Sequence, residues 1–295
     1  MRAAPGMNEL NAATWLDPGM VACYAGASGL QAPEARILEE LRPHMGAWAM
    51  LDVGVGAGRT TRHFAPAVAD YTGADISPSM VAHCRRHFDS GQRHFVLADV
   101  RELSMLGERR FDFVLFSFNG LDYLTHDDRL RALAQVHAVC RPGALFCFST
   151  HNIRALSHLM RLRSQYTRDR VRLWRNLGNW LRWRLRHARE VARAAADRRD
   201  WAIVNDGAHE CRLQTYYVRP AAQLAQLEPL FGDSRVFSLS GEELAPRAAG
   251  ERRRRLAVLR LPGPLTPALV AQALEQIRGA VNPTMLAPGI RKGTI

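Results

Sequence analysis

Between residues 48 and 150, short apolar runs alternate with stretches of helical periodicity, and this alternation restricts the fold more than any other feature of the chain. Trp48 to Val53, YTGAD (71–75), HFVLAD (94–99), FDFVLFSF (111–118) and ALFCFST (144–150) read as five strands. PEARILEELRPH, from Pro33 to His44, reads as a helix ahead of the first. RTTRHFAPAV, SPSMVAHCRRHF and HDDRLRALAQVHAVC read as helices between the others. Ser77 is a candidate N-cap with Pro78 at the first turn. The last of these helices stops before the breaker cluster Arg141-Pro142-Gly143. Strands alternating with helices at this spacing mean an α/β fold with a parallel, doubly wound sheet and right-handed crossovers. Further on, CRLQTYYV reads as a strand, RPAAQLAQLEPLF as a helix and SRVFSLS as a last strand. Residues 151–207 look like a helical insertion.

Gly54-Val55-Gly56-Ala57-Gly58 sits between the first strand and the helix after it. Glycines there let the backbone turn without a Cβ clash and come close to a ligand. In an open α/β sheet that ligand lies beyond the carboxyl ends of the strands. A dinucleotide fingerprint would place its third glycine at 59, which is Arg59, so the loop reads GxGxG instead. Asp75, 21 residues after Gly54, is placed to accept hydrogen bonds from both hydroxyls of a ribose. NAD would use the same geometry, so this carboxylate alone leaves the ligand open.

The words around these residues, taken together, decide further. LDVGVGAGRT, YTGADISPSMV, LADV, FDFVLFSFNGLDYL and VCRPGALFCFSTHN occur in order. This series resembles the motifs of class I S-adenosylmethionine-dependent methyltransferases, over roughly 45–150 and more loosely over 208–240. The resemblance implies a Rossmann-like sheet of seven strands, the last antiparallel, with the helical insertion after strand five. It implies S-adenosylmethionine as cofactor, held by Tyr24, Asp52, Gly54, Gly56, Gly58, Asp75, Ile76, Asp99, Val100, Ser117, Phe118 and Asn119. Among these, Asp75 would take the ribose and Asp99 the adenine amino group, with Ile76 and Val100 on the ring. Asp52 would fix the loop or approach the methionine amine, and Tyr24 would close over the cofactor. The expected organisation is an N-terminal helical cap (1–45), a cofactor domain (46–150 and 208–245), a basic insertion acting as substrate lid (151–207) and a C-terminal extension (246–295).

Methyl transfer from a sulfonium is an in-line displacement in which alignment and desolvation do most of the work. A general base matters only when the acceptor must lose a proton. His151, Tyr216 and Asp122 are the candidates near the strand ends. Tyr216 and Tyr217 point to opposite faces of their strand, so at most one meets the site. The expected activity is transfer of a methyl group to an O or N nucleophile of a small molecule. The alternatives are a non-methylating use of the same cofactor, such as cyclisation, or a cofactor-binding protein whose basic helix docks on membrane or RNA. Ser117-Phe118-Asn119-Gly120 replaces the Pro-Pro-aromatic word of amino-directed nucleic-acid methyltransferases, and none of the five cysteines follows a proline. Nucleic acid is therefore not the expected partner.

The net charge of +12 is concentrated rather than spread. Residues 151–200 hold 14 Arg against Asp169, Glu190, Asp197 and Asp200. Within 171–187, Val171, Leu173, Trp174, Leu177, Trp180, Leu181 and Leu185 share one half of a helix, and Arg172, Arg175, Arg182 and Arg186 share a quadrant of the other. Trp183 and Arg184 are exceptions. The leading expectation packs the apolar half on the sheet domain with Arg in water. An anionic acceptor or a partner protein, and a membrane surface met by 171–187, are the other options. The cysteines lack a CxxC pair and read as buried free thiols. His83, Cys84 and His87 lack a third matching ligand position, so no metal site is expected. No signal peptide or spanning segment is read from the chain, and a cytoplasmic location is the expectation.

Overall fold

The computed structural model describes residues 6–159, 170–197, 199–244 and 254–260. Strands β1 (Ala49–Val53), β2 (Asp70–Asp75), β3 (Arg93–Leu97), β4 (Phe111–Phe116) and β5 (Cys140–Asn152) form the parallel half of the sheet, in the order β3-β2-β1-β4-β5. The topology reverses between β1 and β4, which opens a crevice at their carboxyl ends.

Beyond β5 the chain departs from the strand-by-strand expectation. Thr215–Val218 (β7) pairs in parallel with only the last residues of β5, His151 facing Tyr217 and Asn152 facing Val218. Trp201–Val204 (β6) pairs antiparallel with β7, so the insertion contributes a strand as well as helices. Ser234–Ser238 (β8) and Glu243–Leu244 (β9) pair with each other. The antiparallel strand of the seven-strand core is Arg254–Arg260 (β10), which lies between β5 and β8 and runs against both. SRVFSLS therefore supplies the sixth parallel strand, and the final strand comes from the stretch read as a C-terminal extension. Its apolar run, Leu256 to Leu259, is short, framed by Arg-rich and Pro-rich sequence, and shows no alternation to mark a strand. The rest of that extension, 246–253 and 261–295, lies outside the described residues.

Alternate residues of the strands feed two apolar layers. Leu51, Val53, Val114 and Phe116 face one side, against helix α6 (His126–Val139). Met50, Phe113 and Leu115 face the other, with Ile37 and Leu38 of α3 (Ala32–Leu41) and Val81 of α5 (Pro78–Phe88). The helix expected over RTTRHFAPAV is a single turn, α4 (Thr61–Phe64), because Pro66 turns the chain into a 3-10 segment. Two short helices, α1 (Met7–Trp15) and α2 (Met20–Ala25), precede α3. Helix α7 (Leu156–Leu159) and the 27-residue α8 (Arg170–Ala196) lie in the insertion, and α9 (Pro220–Leu227) follows β7.

Helix α8 docks by only part of the face that its composition suggests: of that apolar half, Trp180 packs in, and its indole N–H donates to the Leu159 carbonyl at 3.2 Å. Trp183, an exception in the apolar-half pattern, is the anchor: it is 4% exposed and its indole N–H donates to the Asn205 carbonyl at 2.8 Å. Val191 joins it, against Ile153, Leu156, Val204 and Tyr217. Trp174, Leu181 and Leu185 are 74%, 52% and 79% exposed. The side chains of Val171, Arg172, Leu173 and Arg175 lie outside the described set. Among the cysteines, Cys84, Cys140 and Cys147 are buried, whereas Cys23 is exposed on α2, contrary to the uniform burial expected.

Candidate active site

At the carboxyl ends of β1, β2 and β4 lies a cavity of ≈ 210 Å³. The glycine loop, Asp75 to Ser77, Ala98 to Arg101 and Phe116 to Phe118 form its walls, and Asn8, Asn11, Trp15 and Tyr24 cap it from α1 and α2. Of the residues expected to hold a cofactor, Tyr24, Gly54, Gly56, Asp75, Ile76, Asp99, Val100, Ser117 and Phe118 line this cavity. Asp52, Gly58 and Asn119 do not.

The glycines differ in why they are there. Gly54 and Gly56 have φ of +63° and +56°. A Cβ on Gly56 would meet no atom nearer than Gly54 O at 4.0 Å, so the space above it opens to the cavity. A Cβ on Gly58 would lie 2.3 Å from Phe88 Cε2, so that glycine answers to packing rather than to ligand approach. Asp52 Oδ2 accepts from Thr60 Oγ1 at 2.5 Å and Tyr71 OH at 2.6 Å, tying β1 to the start of α4 and to β2. It fixes the loop and does not reach the cavity.

Asp75 closes the loop from below. Gly56 N donates to its Oδ2 and Ser77 N to its Oδ1, each at 2.8 Å. Each carboxylate oxygen carries a second lone pair, so the group still accepts hydroxyls from the cavity side. Burial pushes its carboxyl above the ordinary value, against the pull of the Ser77 and Gly56 amides. Asp99 is half-exposed. Partial burial raises its carboxyl, but the Arg101 guanidinium, with Nε at 3.0 Å from both oxygens, outweighs this and holds it low.

The motif reading passed over one wall residue, Arg59, and the buried partner behind it, Glu34. Arg59 donates to both oxygens of the buried Glu34, at 2.6 and 2.7 Å, and to Ser117 Oγ at 3.0 Å. Its guanidinium also stacks over Phe118 at 5.1 Å. Glu34 sits at the start of α3 and accepts from Gln31 N at 2.7 Å, so in sequence it passes for an ordinary capping residue. Arg59 appears in the sequence only as the residue that spoils a dinucleotide fingerprint.

The proposed catalytic residues are distributed differently than expected. Asp122 and His151 do come together: His151 Nδ1 lies 2.8 Å from Asp122 Oδ2, and His151 N donates to the same oxygen at 2.6 Å. Arg129 and Thr150 donate to Asp122 Oδ1 at 2.6 and 2.7 Å. With the carboxylate on Nδ1, the imidazole carries its proton there and turns Nε2 toward the Asn119 amide at 3.3 Å. This pair stands behind the cavity wall, because Phe118 and Gly120 line the cavity and His151 does not. Tyr216 is fully buried away from the cavity, with its OH bonded to His126 Nδ1 (2.8 Å) and Gln226 Nε2 (3.2 Å), so it is a packing residue. It is Tyr217 whose ring meets His151, at 4.9 Å between centroids.

Among the described residues, five non-glycine residues have positive φ, and all fall in two segments beside the cavity. Phe118 and Asn119 form one, and His209, Glu210 and Cys211 form the other. Left-handed L-residues cost roughly 1–2 kcal/mol each, and such strain is held where surrounding contacts over-determine it. Both segments meet on Tyr24: Phe118 packs edge-on at 6.3 Å, and His209 Nε2 is 2.9 Å from the Tyr24 hydroxyl. Trp15 packs on Tyr24, His209 and Tyr123. Burial lowers the His209 imidazole below its ordinary value and pushes the Tyr24 phenol up to about 12. No residue of 151–207 among the described ones lines the cavity. The roof belongs to α1 and α2, and α8 stands beside β6 and β7 instead of over the crevice.

Comparison with known proteins agrees with this geometry. Residues 50–143 match the methyltransferase domain family. A curated relative, the malonyl-[acyl-carrier protein] O-methyltransferase of Pectobacterium atrosepticum, is 26% identical over 137 residues, 46% of this chain and 52% of that protein. The chain thus spans about half the length of the curated relative it matches. The S-adenosylmethionine-dependent methyltransferase of Clostridium acetobutylicum superposes with a TM-score of 0.53 at 15% identity, over 80% of this chain and 93% of the other. The Burkholderia thailandensis 1,6-didemethyltoxoflavin-N1-methyltransferase, solved with 1,6-didemethyltoxoflavin and S-adenosylhomocysteine, superposes with a TM-score of 0.51 at 18% identity, over 89% and 93%. These superpositions establish the fold. Residues 50–143 thus match a methyltransferase domain, and the fold is the one that these S-adenosylmethionine-dependent methyltransferases share.

Proposed function

We propose that the chain methylates an O or N nucleophile of a small molecule, with the Tyr24 hydroxyl meeting the acceptor and His209 acting on it from behind. When bound, the cofactor supplies a methyl group on an already activated sulfonium. The observation that carries the reading is the convergence of the glycine loop, Asp75 and Asp99 on one cavity whose far wall is Tyr24. In this reading Gly54 and Gly56 admit the cofactor to the loop, Asp75 accepts from its ribose, and Asp99, Ile76 and Val100 flank its base. Arg59 and Ser117 form the polar patch at the other end of the same wall.

A neutral His209 against the Tyr24 hydroxyl suits an oxygen acceptor that must lose its proton. His151 and Asp122 act one layer back: they hold Asn119, and through it the strained turn that presents Phe118. Arg59 and Arg101 on the cavity wall are already paired with Glu34 and Asp99, which argues against an acceptor selected for negative charge.

The test is transfer of labelled methyl to a panel of phenols, carboxylic acids and amines, with mass analysis of products formed in the absence of acceptor. Label in the acceptor is the expected result, and cofactor cyclisation without acceptor contradicts it. For an oxygen acceptor, kcat/KM should fall on the acid side only below about 6.5, because burial lowers the His209 imidazole from that value. His209→Asn should abolish that limb and lower kcat/KM roughly 10²–10⁴-fold. An unchanged rate and pH profile would remove His209 from the mechanism.

A further inference from the structure

The exposed side of α8 is organised. Trp174, Gly178, Leu181, Leu185, Ala188, Ala192 and Ala195 follow one another at alternating steps of four and three residues. That is the seam spacing by which one helix packs along another. Trp174, Leu181 and Leu185 are well exposed, as above, and the seam from Trp174 to Ala192 is about 27 Å long at 1.5 Å per residue. The helix is anchored by its opposite side, through Trp183 and Val191, so this seam is not the face that holds α8 to the domain.

One flank of the seam is an arginine rail. Arg182 and Arg189 each follow a seam residue by one position, with Arg186 and Arg193 beside them, and all four are exposed. On the other flank Arg184 stacks over Trp180, at 5.1 Å, toward the packed side. The whole of α8 carries eight Arg and one acid, Glu190.

We infer that this face of α8 docks an amphipathic acidic helix of a partner protein, apolar seam to apolar seam, with the partner's carboxylates along the Arg182–Arg189 rail. Charge selects the occupant. A second copy of α8 would bring another arginine rail, not an acidic one. Residues 261–295 of this chain contain a single acid, Glu275, so they do not complement the rail either. A lipid surface asks for a broad apolar face. This seam is narrow, and its second half is alanine, which offers little to acyl chains but lets a second helix approach closely.

The seat also communicates with the cavity. Trp183 donates to Asn205, Asn205 Oδ1 accepts from Gly207 N at 3.1 Å, and Asn205 Nδ2 donates to Cys211 O at 2.7 Å. Those bonds frame the left-handed turn that carries His209. A partner seated on α8 is thus two packed layers from Tyr24. The inference stands on the surface of α8 alone and does not depend on the acceptor reading.

The test uses the full chain and two labelled synthetic helical peptides. Both carry leucines at the seam spacing, one with Glu on its flanks and the other with Lys. Fluorescence anisotropy should show binding of the Glu peptide and not of the Lys peptide. Leu181→Asp with Leu185→Asp should weaken it at least tenfold, as should Arg182→Glu with Arg189→Glu. All four positions are exposed, so circular dichroism and cofactor binding should be unchanged in both variants. Failure to bind the Glu peptide, equal binding of both peptides, or binding of phosphatidylglycerol vesicles in preference to the Glu peptide would each overturn the inference.

Discussion

Helices α6 and α8 are both amphipathic in sequence, yet they use their apolar residues in opposite ways. In α6, Leu130, Leu133, Val136 and Val139 recur at threes, and all are buried against the sheet. Thr125 caps its start, accepting from Asp128 N at 3.4 Å, and the helix ends where the strand after it begins. In α8 Trp174, Leu181 and Leu185 face out, and the helix is held by Trp183, Trp180 and Val191 on another side. Periodicity reports that a helix has an apolar face. What that face meets is decided by tertiary contacts, which for α8 include a tryptophan that finds a carbonyl partner in a loop twenty-two residues on.

That contrast can be broken by mutation. Leu133→Ala, in the fully buried face of α6, should cost about 2–5 kcal/mol in chemical denaturation, from lost burial plus the cavity left behind. Leu185→Ala, at 79% exposure on α8, should change stability by less than about 0.5 kcal/mol. A large loss at Leu185 would mean that the seam is a packing face of this chain and not a docking surface.

Between these extremes in effect lies the buried loop anchor. Burial pushes the Asp52 carboxyl from 3.8 up to about 6, against the hydrogen bonds of Thr60 and Tyr71. Between those values the folded chain holds a proton that the unfolded chain has released. Stability contributed by Asp52 therefore falls as pH rises from about 4 to about 6, and the charged form is a net cost above that window. Asp52→Asn keeps an oxygen for Thr60 and Tyr71. It should flatten this slope and change the difference from wild type by on the order of 2–3 kcal/mol between pH 4 and 7. A parallel pH dependence in both proteins would show that Asp52 titrates normally.

Much of the cofactor half is legible in sequence because local and tertiary demands coincide there. A buried parallel strand is apolar at nearly every position, and a glycine between such a strand and a helix has few other reasons to be present. Asp75 and Asp99 stand at strand ends, where the fold itself places ligands. The reading is weaker where a residue's role depends on a partner far away in the chain. Glu34 looks like a helix cap until Arg59 is seen on it, and His209 lies in an irregular loop with no period to mark it. Tyr216 and Tyr217 are adjacent, and alternation says only that one of them faces the site. β10 illustrates a different limit, since its pattern is short and its partners, β5 and β8, are defined only once the sheet is built.

The central claim is that the cavity above the glycine loop holds S-adenosylmethionine through Asp75, and isothermal titration with S-adenosylhomocysteine tests it most directly. The account predicts saturable one-to-one binding to the full chain, weakened at least tenfold in Asp75→Ala and little changed in Leu185→Ala. Absence of binding, or tight binding of NAD with no response to S-adenosylhomocysteine, would contradict it.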